Sequence, residues 1–358
     1  WDADVGAFPR RADETGDSAR ILRAVEAAGA GGVVWFPRGE YAIDEMLAVS
    51  NQASFLLHKS ARLRAVKAMP FVLRYFGGMA GDWRPGMDHN LFFRGGEIDG
   101  AGLAGCANFM GLRHFTLADA TFRNGRTVGV RLGYPELDAR KADGYEIMAY
   151  NLYFVCDRPG LAGNVGFETY IGDSHFTDLV VVDYTVGIRD RKWANRYTRC
   201  HVWGGPVKKA GTDVSEMLEN SIAFDLLGAD TLLDSCYADT AKVGFNVVGG
   251  PVGAGTRIVN CGYYNNARYG LEDTLVFSHQ SDYLVVMGGR FTKNGKRSTL
   301  YARGEKAGTL DWRDNHVLNF APDDTAELRR TLGAAAASRT TSAPCSETSD
   351  AVLSAPGM

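Results

Sequence analysis

Residues 166–172 read GFETYIG, and the same outline returns four more times along the chain. The later segments that superpose on it are GIRDRKW (187–193), AFDLLGA (223–229), GFNVVGG (244–250) and GLEDTLV (270–276). A shorter segment, GVRLG (129–133), precedes them. In each segment an apolar residue is followed by a polar or charged one, which predicts equivalent places in a repeated structure.

The aligned apolar residues follow one another from Phe167 at intervals of 21, 36, 21 and 26 residues. Repeats of this length, with several short strands in each, are typical of a solenoid, in which a repeat buries its apolar face against its neighbours. We therefore predict an all-β fold, a single-stranded right-handed parallel β-helix. Its predicted buried column contains Val130, Phe167, Ile188, Phe224, Phe245 and Leu271.

The composition is that of a globular protein rich in turns. Hydrophobic residues make up 45% and charged residues 23% of the chain, and 43 of the 358 residues are glycine. The usual share of glycine is about 7%, so many turns between short strands are expected. A net charge of −3 without a basic block argues against a nucleic-acid partner. No apolar run reaches the roughly 18–20 residues that cross a bilayer, so no membrane partner is predicted.

The two ends of the chain differ from the repeats. Asp17 or Ser18 is a suitable cap for a helix with Ile21 and Val25 on one face, and this helix is expected to cap the N-terminal end of the solenoid. We predict a β-helix domain over residues 1–320. Residues 321–358 are expected to form a short helix and a flexible C-terminal tail.

The six cysteines do not form a CxxC pair, so neither a zinc site nor a redox motif is indicated. Cys200, Cys236 and Cys261 fall in equivalent places of a second set of repeats. We expect them to be small buried residues of an internal ladder rather than disulfides.

The N-terminal part of the chain resembles a known superfamily. DVGA (4–7), the helix after it, GGVVWFPRGEY (31–41) and GGEIDG (95–100) look like the signature of the pectate-lyase-like superfamily, in the branch of polygalacturonase-related glycosidases and tailspike depolymerases. The resemblance implies the same β-helix and carbohydrate as the class of substrate. The paired-Asp, GHG and RIK motifs of polygalacturonases and the WIDH motif of pectate lyases are absent, so the resemblance carries over no catalytic residue.

A row of polar residues follows the predicted column. The residues are Arg131, Glu168, Arg189, Asp225, Asn246 and Glu272. Because successive coils stack about 4.8 Å apart, Glu168 and Asp225 would lie roughly 9–10 Å apart, on the outside, with Arg189 between them. Inverting glycosidases hold their two carboxyl groups about 6.5–9.5 Å apart. We therefore predict Glu168 and Asp225 as the catalytic pair and the other members of the row as substrate-binding residues.

Two longer excursions lead into this row. Residues 157–166 precede Glu168, and residues 203–221 precede Asp225. Long excursions in a compact solenoid are usually functional, so we expect these two to wall a groove. Asp157 could approach Glu168 across the first excursion and form a closer pair, with retaining geometry.

Aromatic residues near the row are candidates for stacking on sugar rings. Tyr170 lies two residues after Glu168 and is expected on the same face. Trp193 and Trp203 flank the next coil, where packing in the core is the alternative. We predict all three as substrate-binding residues.

These observations favour a glycoside hydrolase that acts on a polysaccharide or oligosaccharide. A polysaccharide lyase is the first alternative, because Arg189, Arg191 and Lys192 cluster in GIRDRKW. A transferase or cyclising enzyme could use the same two carboxylates. The non-enzymatic alternative is a tailspike-like glycan-binding module, which would be a homotrimer.

Histidine, cysteine and carboxylate residues show no metal-ligand spacing, so we expect no metal and no cofactor, with Ca²⁺ required only by a lyase. The chain begins at Trp1 without a signal-like segment, and we interpret it as a processed or trimmed form. The expected localisation is extracellular, as for a secreted protein that degrades polysaccharides.

Overall fold

The fold is a right-handed parallel β-helix, as predicted. A computed structural model describes residues 1–50, 52–77, 90–135, 144–158, 161, 163–204, 219–249, 255–265, 271–293 and 297–341. Its strands lie in two large parallel sheets that run the length of the solenoid. The strands are short, from two to eight residues, and turns separate them.

The first sheet, which we call the ladder sheet, contributes one straight strand to each coil. Its strands are Leu47–Val49, Phe71–Phe76, Gly105–Met110, Val128–Leu132, Val165–Thr169, Val186–Asp190, Ile222–Leu226, Val243–Val247, Thr274–His279 and Ser298–Arg303.

The second sheet, which we call the bent sheet, contributes two arms to most coils, joined by a sharp turn. Its strands are Ala3–Asp4, Val33–Phe36, Gly39–Ile43, Ser54–Leu57, Ala61–Ala65, Phe92–Arg94, Glu97–Asp99, Thr116–Ala118, Thr121–Arg123, Met148–Val155, His175–Val182, Arg196–Thr198, His201–Trp203, Leu232–Asp234, Tyr237–Asp239, Thr256–Val259, Gly262–Tyr264, Tyr283–Met287, Arg290–Thr292, Thr309–Arg313 and His316–Leu318. A small third sheet pairs Leu112–Arg113 with Gly144–Tyr145.

The sharp turn of the bent sheet has one residue in the left-handed backbone region in successive coils. Short polar side chains tolerate this region because they form local hydrogen bonds there. The residues in this region include Asp119, Asn151, Asp178, Ser235 and Asn260, and also the longer Arg199, with φ between 52° and 56°.

The predicted buried column is correct over five coils and wrong in the sixth. Val130 pairs in register with Phe167, and the same register continues through Ile188, Phe224 and Phe245. The next partner is Phe277, whose ring centroid lies 5.1 Å from that of Phe245. Leu271 is buried but precedes the strand Thr274–His279, so it is not part of the column.

The residue before each column residue must be small. A Cβ atom on Gly187 would lie 2.4 Å from Val202 Cγ1 and 2.6 Å from the carbonyl oxygen of Ala223. The corresponding atom on Gly166 would lie 2.4 Å from Val181 Cγ1. The glycine or alanine that opens each repeated segment therefore keeps space for the neighbouring coil.

Helices lie at both ends of the described chain. The first, α1 (Ser18–Ala28), follows a 3-10 turn at Val5–Ala7 and buries Ile21 and Ala24 in the hydrophobic core beside the first strands. Asp17 occupies its N-cap position, but its carboxylate binds Arg10 and Arg20 rather than the helix backbone. The second, α2 (Ala326–Thr341), follows a 3-10 turn at Asp323–Thr325 and contacts the last strand of the ladder sheet.

Five cysteines lie within the described residues, and all are free and buried. Cys200 donates its backbone N–H to the sulfur of Cys236, at 3.3 Å, so the expected ladder of small buried residues is present. Cys345 lies outside the described residues. Within the described ranges no helix is long and apolar enough to cross a bilayer.

Candidate functional site

The predicted polar row lies on the outer face of the ladder sheet. Arg131 pairs with Glu168, Glu168 with Arg189, Arg189 with Asp225, and Asp225 with Asn246. We call these five residues the ladder. Glu168 and Asp225 are thus two rungs apart with a guanidinium group between them, as the sequence predicted.

Glu168 is the most heavily bound member of the ladder. Its Oε2 atom accepts a hydrogen bond of 3.0 Å from Arg131 Nε, and its Oε1 atom accepts one of 2.9 Å from Arg191 Nε. Arg189 Nη1 is 4.0 Å from Oε1, and the Tyr170 hydroxyl donates to the same atom at 3.3 Å. The residue is only 2% exposed.

Asp225 is bound on both sides by its neighbours in the ladder. Arg189 Nε donates to its Oδ2 atom at 2.7 Å, and Asn246 Nδ2 donates to its Oδ1 atom at 2.8 Å. The residue is 3% exposed. The expectation of two solvent-facing carboxylates was therefore wrong, because each is enclosed by long side chains from adjacent coils.

The arginines determine the charge state of Glu168. Burial raises the pKa of this carboxyl, but the hydrogen bond from Arg191 and the charges of Arg131 and Arg191 outweigh burial and leave the pKa below its usual value. Glu168 is therefore a carboxylate anion at neutral pH. This state suits a group that orients arginines or accepts a proton, and it does not suit a general acid.

The guanidinium groups of the ladder and of the adjacent Arg191 remain partly accessible. The side chains of Arg131, Arg189 and Arg191 are 22%, 21% and 34% exposed. Arg131 and Arg191 also lie over the ring of Tyr170, at 5.9 and 5.3 Å from its centroid. The face that reaches solvent therefore consists mainly of hydrogen-bond donors held by buried carboxylates.

Glu272 was wrongly predicted as a member of the ladder. Ser278 occupies the place after Asn246, because the strand of that coil is Thr274–His279. Glu272 precedes this strand, is exposed, and lies 4.0 Å from Arg297.

Asp157 lies on a different part of the surface from the one predicted. Its carboxylate binds Arg123 Nη1 at 2.8 Å, and Arg123 also contacts Glu97 on the bent sheet. In the part of the chain that the structure describes, no contact joins Asp157 to Glu168. Most of the predicted walls, residues 205–218 and parts of 157–166, lie outside the described residues.

The two tryptophans lie in different surroundings. Trp203 is on the bent sheet, in register with Val182. It lines a corner beside Ile222, which begins the strand that carries Asp225, and does not lie beside Asp225 itself. Trp193 is 41% exposed and follows the ladder sheet in a turn. Its ring centroid lies 6.5 Å from that of Tyr145.

A second group of chemically active side chains lies next to this turn. We call it the turn cleft, a depression of about 490 Å³ lined by His114, Glu146, Met148, Asp173, His175, Ala194 and Arg196. It is reached from Glu168 by following the same coil for five residues.

Adjacent coils bring the two carboxylates of the turn cleft together. Tyr145 bridges Gly172 in parallel register, so the residues that follow them, Glu146 and Asp173, occupy neighbouring rungs. Both have left-handed backbones, with φ of 55° and 52°.

The two carboxyl groups have unlike surroundings. Arg113 Nε binds Glu146 Oε2 at 2.9 Å and His114 Nε2 lies 2.7 Å from the same atom. The hydrogen bond from Arg113 is the main reason that the pKa of Glu146 is lowered. Burial against the cleft wall, followed by the negative charge of Glu146, raises the pKa of Asp173, while Arg196 opposes the change.

Sequence reasoning missed the turn cleft. Its two acids precede the bent-sheet strands by two positions, where YEIMA (145–149) and GDSHF (172–176) align with an acid in second place and an apolar residue in fifth. That alignment was the available signal, but it is weak because Asp and Glu are common in turns.

Within the described ranges no group of three or more His, Cys, Asp or Glu residues is arranged to hold a metal ion. The turn cleft itself combines acids with His114 and Arg196 in a mixed set. Its residues can hold and move protons.

No protein-family model matches the chain, and no curated protein matches it in sequence. Several solved structures are similar in fold. Endo-xylogalacturonan hydrolase from Aspergillus tubingensis superposes with a TM-score of 0.59 at 13% identity, covering 88% of this chain and 93% of that one.

Two viral proteins show the same architecture. A tailspike protein mutant of E. coli bacteriophage HK620, in complex with pentasaccharide, gives a TM-score of 0.60 at 11% identity and covers 89% of this chain and 66% of that one. The ORF18 protein of Geobacillus virus E2 gives 0.56 at 15% identity, with 88% and 60% covered. The resemblance inferred from the sequence is therefore confirmed at the level of the fold.

Proposed function

We propose that this protein is a carbohydrate-active enzyme, a glycoside hydrolase, that binds a polysaccharide or oligosaccharide across the ladder. The observation that carries the proposal is the ladder itself, in which Glu168 and Asp225 hold arginine side chains at fixed spacing on one long face. Parallel coils repeat about every 4.8 Å, so this face offers donors at regular intervals along its length.

The chemistry of the ladder suits a glycan. Guanidinium groups donate hydrogen bonds in a fixed planar arrangement, and carboxylates that bind them reduce the entropy lost on binding. The exposed ring of Trp193 lies one turn away and offers an apolar face to a sugar ring. A surface of this kind binds hydroxyl-rich chains better than it binds apolar ligands.

Proteins of similar fold support the same class of substrate. One is named as a xylogalacturonan hydrolase, and another was solved in complex with a pentasaccharide. Their identity to this chain is 11–13%, so they support glycan as the ligand class and leave the sugar open.

The roles of the predicted residues divide between binding and reaction. Burial and arginine pairing favour a binding role for Glu168, in which it orients Arg131 and Arg191. Direct reaction of Glu168 and Asp225 with substrate stays a prediction from the sequence. Asp157 also stays a predicted catalytic residue, and its contact with Arg123 gives no support to that role.

The test is digestion of a panel of glycans, with products analysed by mass and by ultraviolet absorbance. Cleavage without an absorbing product supports a hydrolase. An absorbing, unsaturated product supports the lyase, for which Arg189 and Arg191 would be the relevant cations. Transfer to a second sugar supports the transferase, and binding without turnover supports the tailspike-like module.

Arg189→Lys tests the ladder within that experiment. Lysine keeps the charge but loses the planar arrangement of donors, so affinity for the cleaved glycan should fall several-fold. Equal affinity of the variant and the wild type would count against binding at the ladder.

A further inference from the structure

We propose that the turn cleft is a catalytic centre of the retaining type, with Asp173 as the acid–base residue and Glu146 as the nucleophile. This inference rests on the glycoside hydrolase function proposed above. It places the chemistry of that function beside the ladder rather than on it.

The register of the coils sets the distance between the backbones of the two residues. Glu146 and Asp173 follow the bridged pair Tyr145 and Gly172, so their backbones are one coil apart, about 4.8 Å. Both side chains leave left-handed backbone positions with φ within a few degrees of each other. A separation of about 5–5.5 Å between carboxyl groups is the one that retaining glycosidases use.

The surroundings give the two carboxyl groups different tasks. Arg113 and His114 both bind Glu146, and this keeps it as an anion that can attack a carbon atom. Burial and then the charge of that anion raise the pKa of Asp173, which favours the protonated form of its carboxyl. Two carboxyl groups whose surroundings shift their pKa values in opposite directions are the usual arrangement of a general acid and its nucleophile.

Buried hydrogen bonds fix the turn that carries Asp173. Its backbone N–H donates to the carbonyl oxygen of Trp193 at 3.3 Å. The next residue, Ser174, receives the N–H of Ile147 on its hydroxyl and donates its own N–H to Asn195 Oδ1. The acid is therefore held in place by backbone contacts from both neighbouring coils, which is the preorganisation that acid catalysis requires.

The turn cleft follows the proposed binding surface along the same coils. Ala194, which lines it, follows Trp193, and Trp193 follows Arg191 by two residues. A strand advances about 3.3 Å per residue, so the five residues from Glu168 to Asp173 span at most about 17 Å. A glycan that crosses the coils can therefore contact the ladder arginines while one of its bonds lies in the cleft.

The reaction proceeds in two balanced steps. In the first, Asp173 gives its proton to the glycosidic oxygen as the bond from that oxygen to the anomeric carbon breaks, and Glu146 forms an ester with the anomeric carbon. In the second, Asp173 takes a proton from water, the water oxygen attacks the anomeric carbon, and the ester bond to Glu146 breaks. The product keeps its original configuration, and both carboxyl groups return to their starting state.

The experiment compares Glu146→Gln and Asp173→Asn with wild type on the glycan found by the panel. Asp178→Asn is the matched control, since Asp178 has a φ of 56° and lies five residues further along the same coil, bound to Arg199. Asparagine tolerates the left-handed region, so both Asp variants should stay folded. Circular dichroism and melting temperature verify this.

We expect each cleft variant to lose 10²–10⁴-fold in kcat, the usual effect of removing a general acid or nucleophile, and Asp178→Asn to keep the wild-type rate. Asp173→Asn should also lose the alkaline limb of the pH–rate profile. The anomer formed first, read by NMR, should have the configuration of the substrate.

Folded variants with rates within about threefold of wild type would overturn the assignment, as would an inverted product. If the cleft variants stay active and Glu168→Gln or Asp225→Asn abolishes turnover without loss of fold, the ladder is the reacting pair. If wild type cleaves no glycan, both the hydrolase function and this assignment are wrong.

Discussion

At the level of single residues, the carboxylates of the ladder are enclosed by the groups that bind them. A surface ion pair contributes about 0–1 kcal/mol, whereas removing one partner of a buried pair costs about 3–5 kcal/mol because the other charge stays desolvated. The side chain of Glu168 is 3% exposed and contacts three arginines, whose own side chains are 21–34% exposed, so it lies between these two cases.

Glu168→Gln should therefore lower the free energy of unfolding by about 1.5–3 kcal/mol, the usual contribution of hydrogen bonds to a charged group. Denaturant titration at pH 7 measures this, and Glu272→Gln is the control because Glu272 lies outside the ladder and is half-exposed. Equal losses in the two variants would contradict the buried ladder.

The lowered pKa of Glu168 also predicts how stability depends on pH. A carboxyl with a lower pKa in the folded state stabilises the fold above the unfolded value, about 4.3, and this contribution is lost as pH falls through the folded value. Wild type should lose stability below about pH 4.3 more steeply than Glu168→Gln. Identical slopes of unfolding free energy against pH would rule the effect out.

Trp193 gives a residue-scale test of substrate binding. Trp193→Ala should raise KM by about three- to tenfold with little change in kcat, since an aromatic contact contributes about 0.5–1.5 kcal/mol. Tyr237→Ala is a matched control, because Tyr237 is 40% exposed, close to the 41% of Trp193, and stacks on His201 of the bent sheet. Steady-state kinetics on the cleaved glycan would separate the two variants, and an equal rise in KM in both would contradict a specific platform.

At the level of elements, the small residue before each buried column residue sets how closely the coils pack. Gly187 faces the carbonyl oxygen of Ala223, and Ala223 takes the equivalent place in its own coil. One methyl group is therefore accommodated in one coil, while the glycine positions have less space.

Gly187→Val should destabilise the protein by about 1–3 kcal/mol, the usual cost of overpacking. Ala223→Gly should cost about 0.5–1 kcal/mol through backbone entropy, to which the loss of a buried methyl group adds. Thermal unfolding of the two variants measures the difference. If Gly187→Val had the same melting temperature as the wild type, the coils would be able to separate at this place.

The elements also show what the sequence could and could not predict. The repeated Gly-apolar-polar pattern was sufficient to place Phe167, Ile188 and Phe224 in one column, because a solenoid repeats its local sequence pattern. The pattern failed at Leu271 because coil length varies and a second apolar pair, Val276 and Phe277, follows in the same coil. Phe277, and not Leu271, pairs with Phe245. Burial of the ladder was also missed, because it depends on long side chains reaching across from adjacent coils, which a pattern within one strand does not contain.

At the level of the whole molecule, the turn cleft and the ladder are neighbouring parts of the proposed substrate surface, since Asp173 follows Glu168 by five residues on the same coil. Every group assigned to binding or catalysis on this surface is an ordinary side chain. Chelation by EDTA should therefore leave glycan cleavage within about twofold of the untreated rate. A complete loss that Ca²⁺ restores would contradict the hydrolase and support a lyase, whose substrate carboxylates need such a cation.

The alternation of charge along the ladder constrains how such a chain could lengthen or shorten in evolution. Removing the single coil that carries Arg189 would place Glu168 directly beside Asp225, and like charges on adjacent strands repel. Removing two coils would instead place Glu168 beside Asn246, which can donate a hydrogen bond. Near the ladder, coils should therefore be gained or lost two at a time. Natural relatives that differ in length should differ there by an even number of coils.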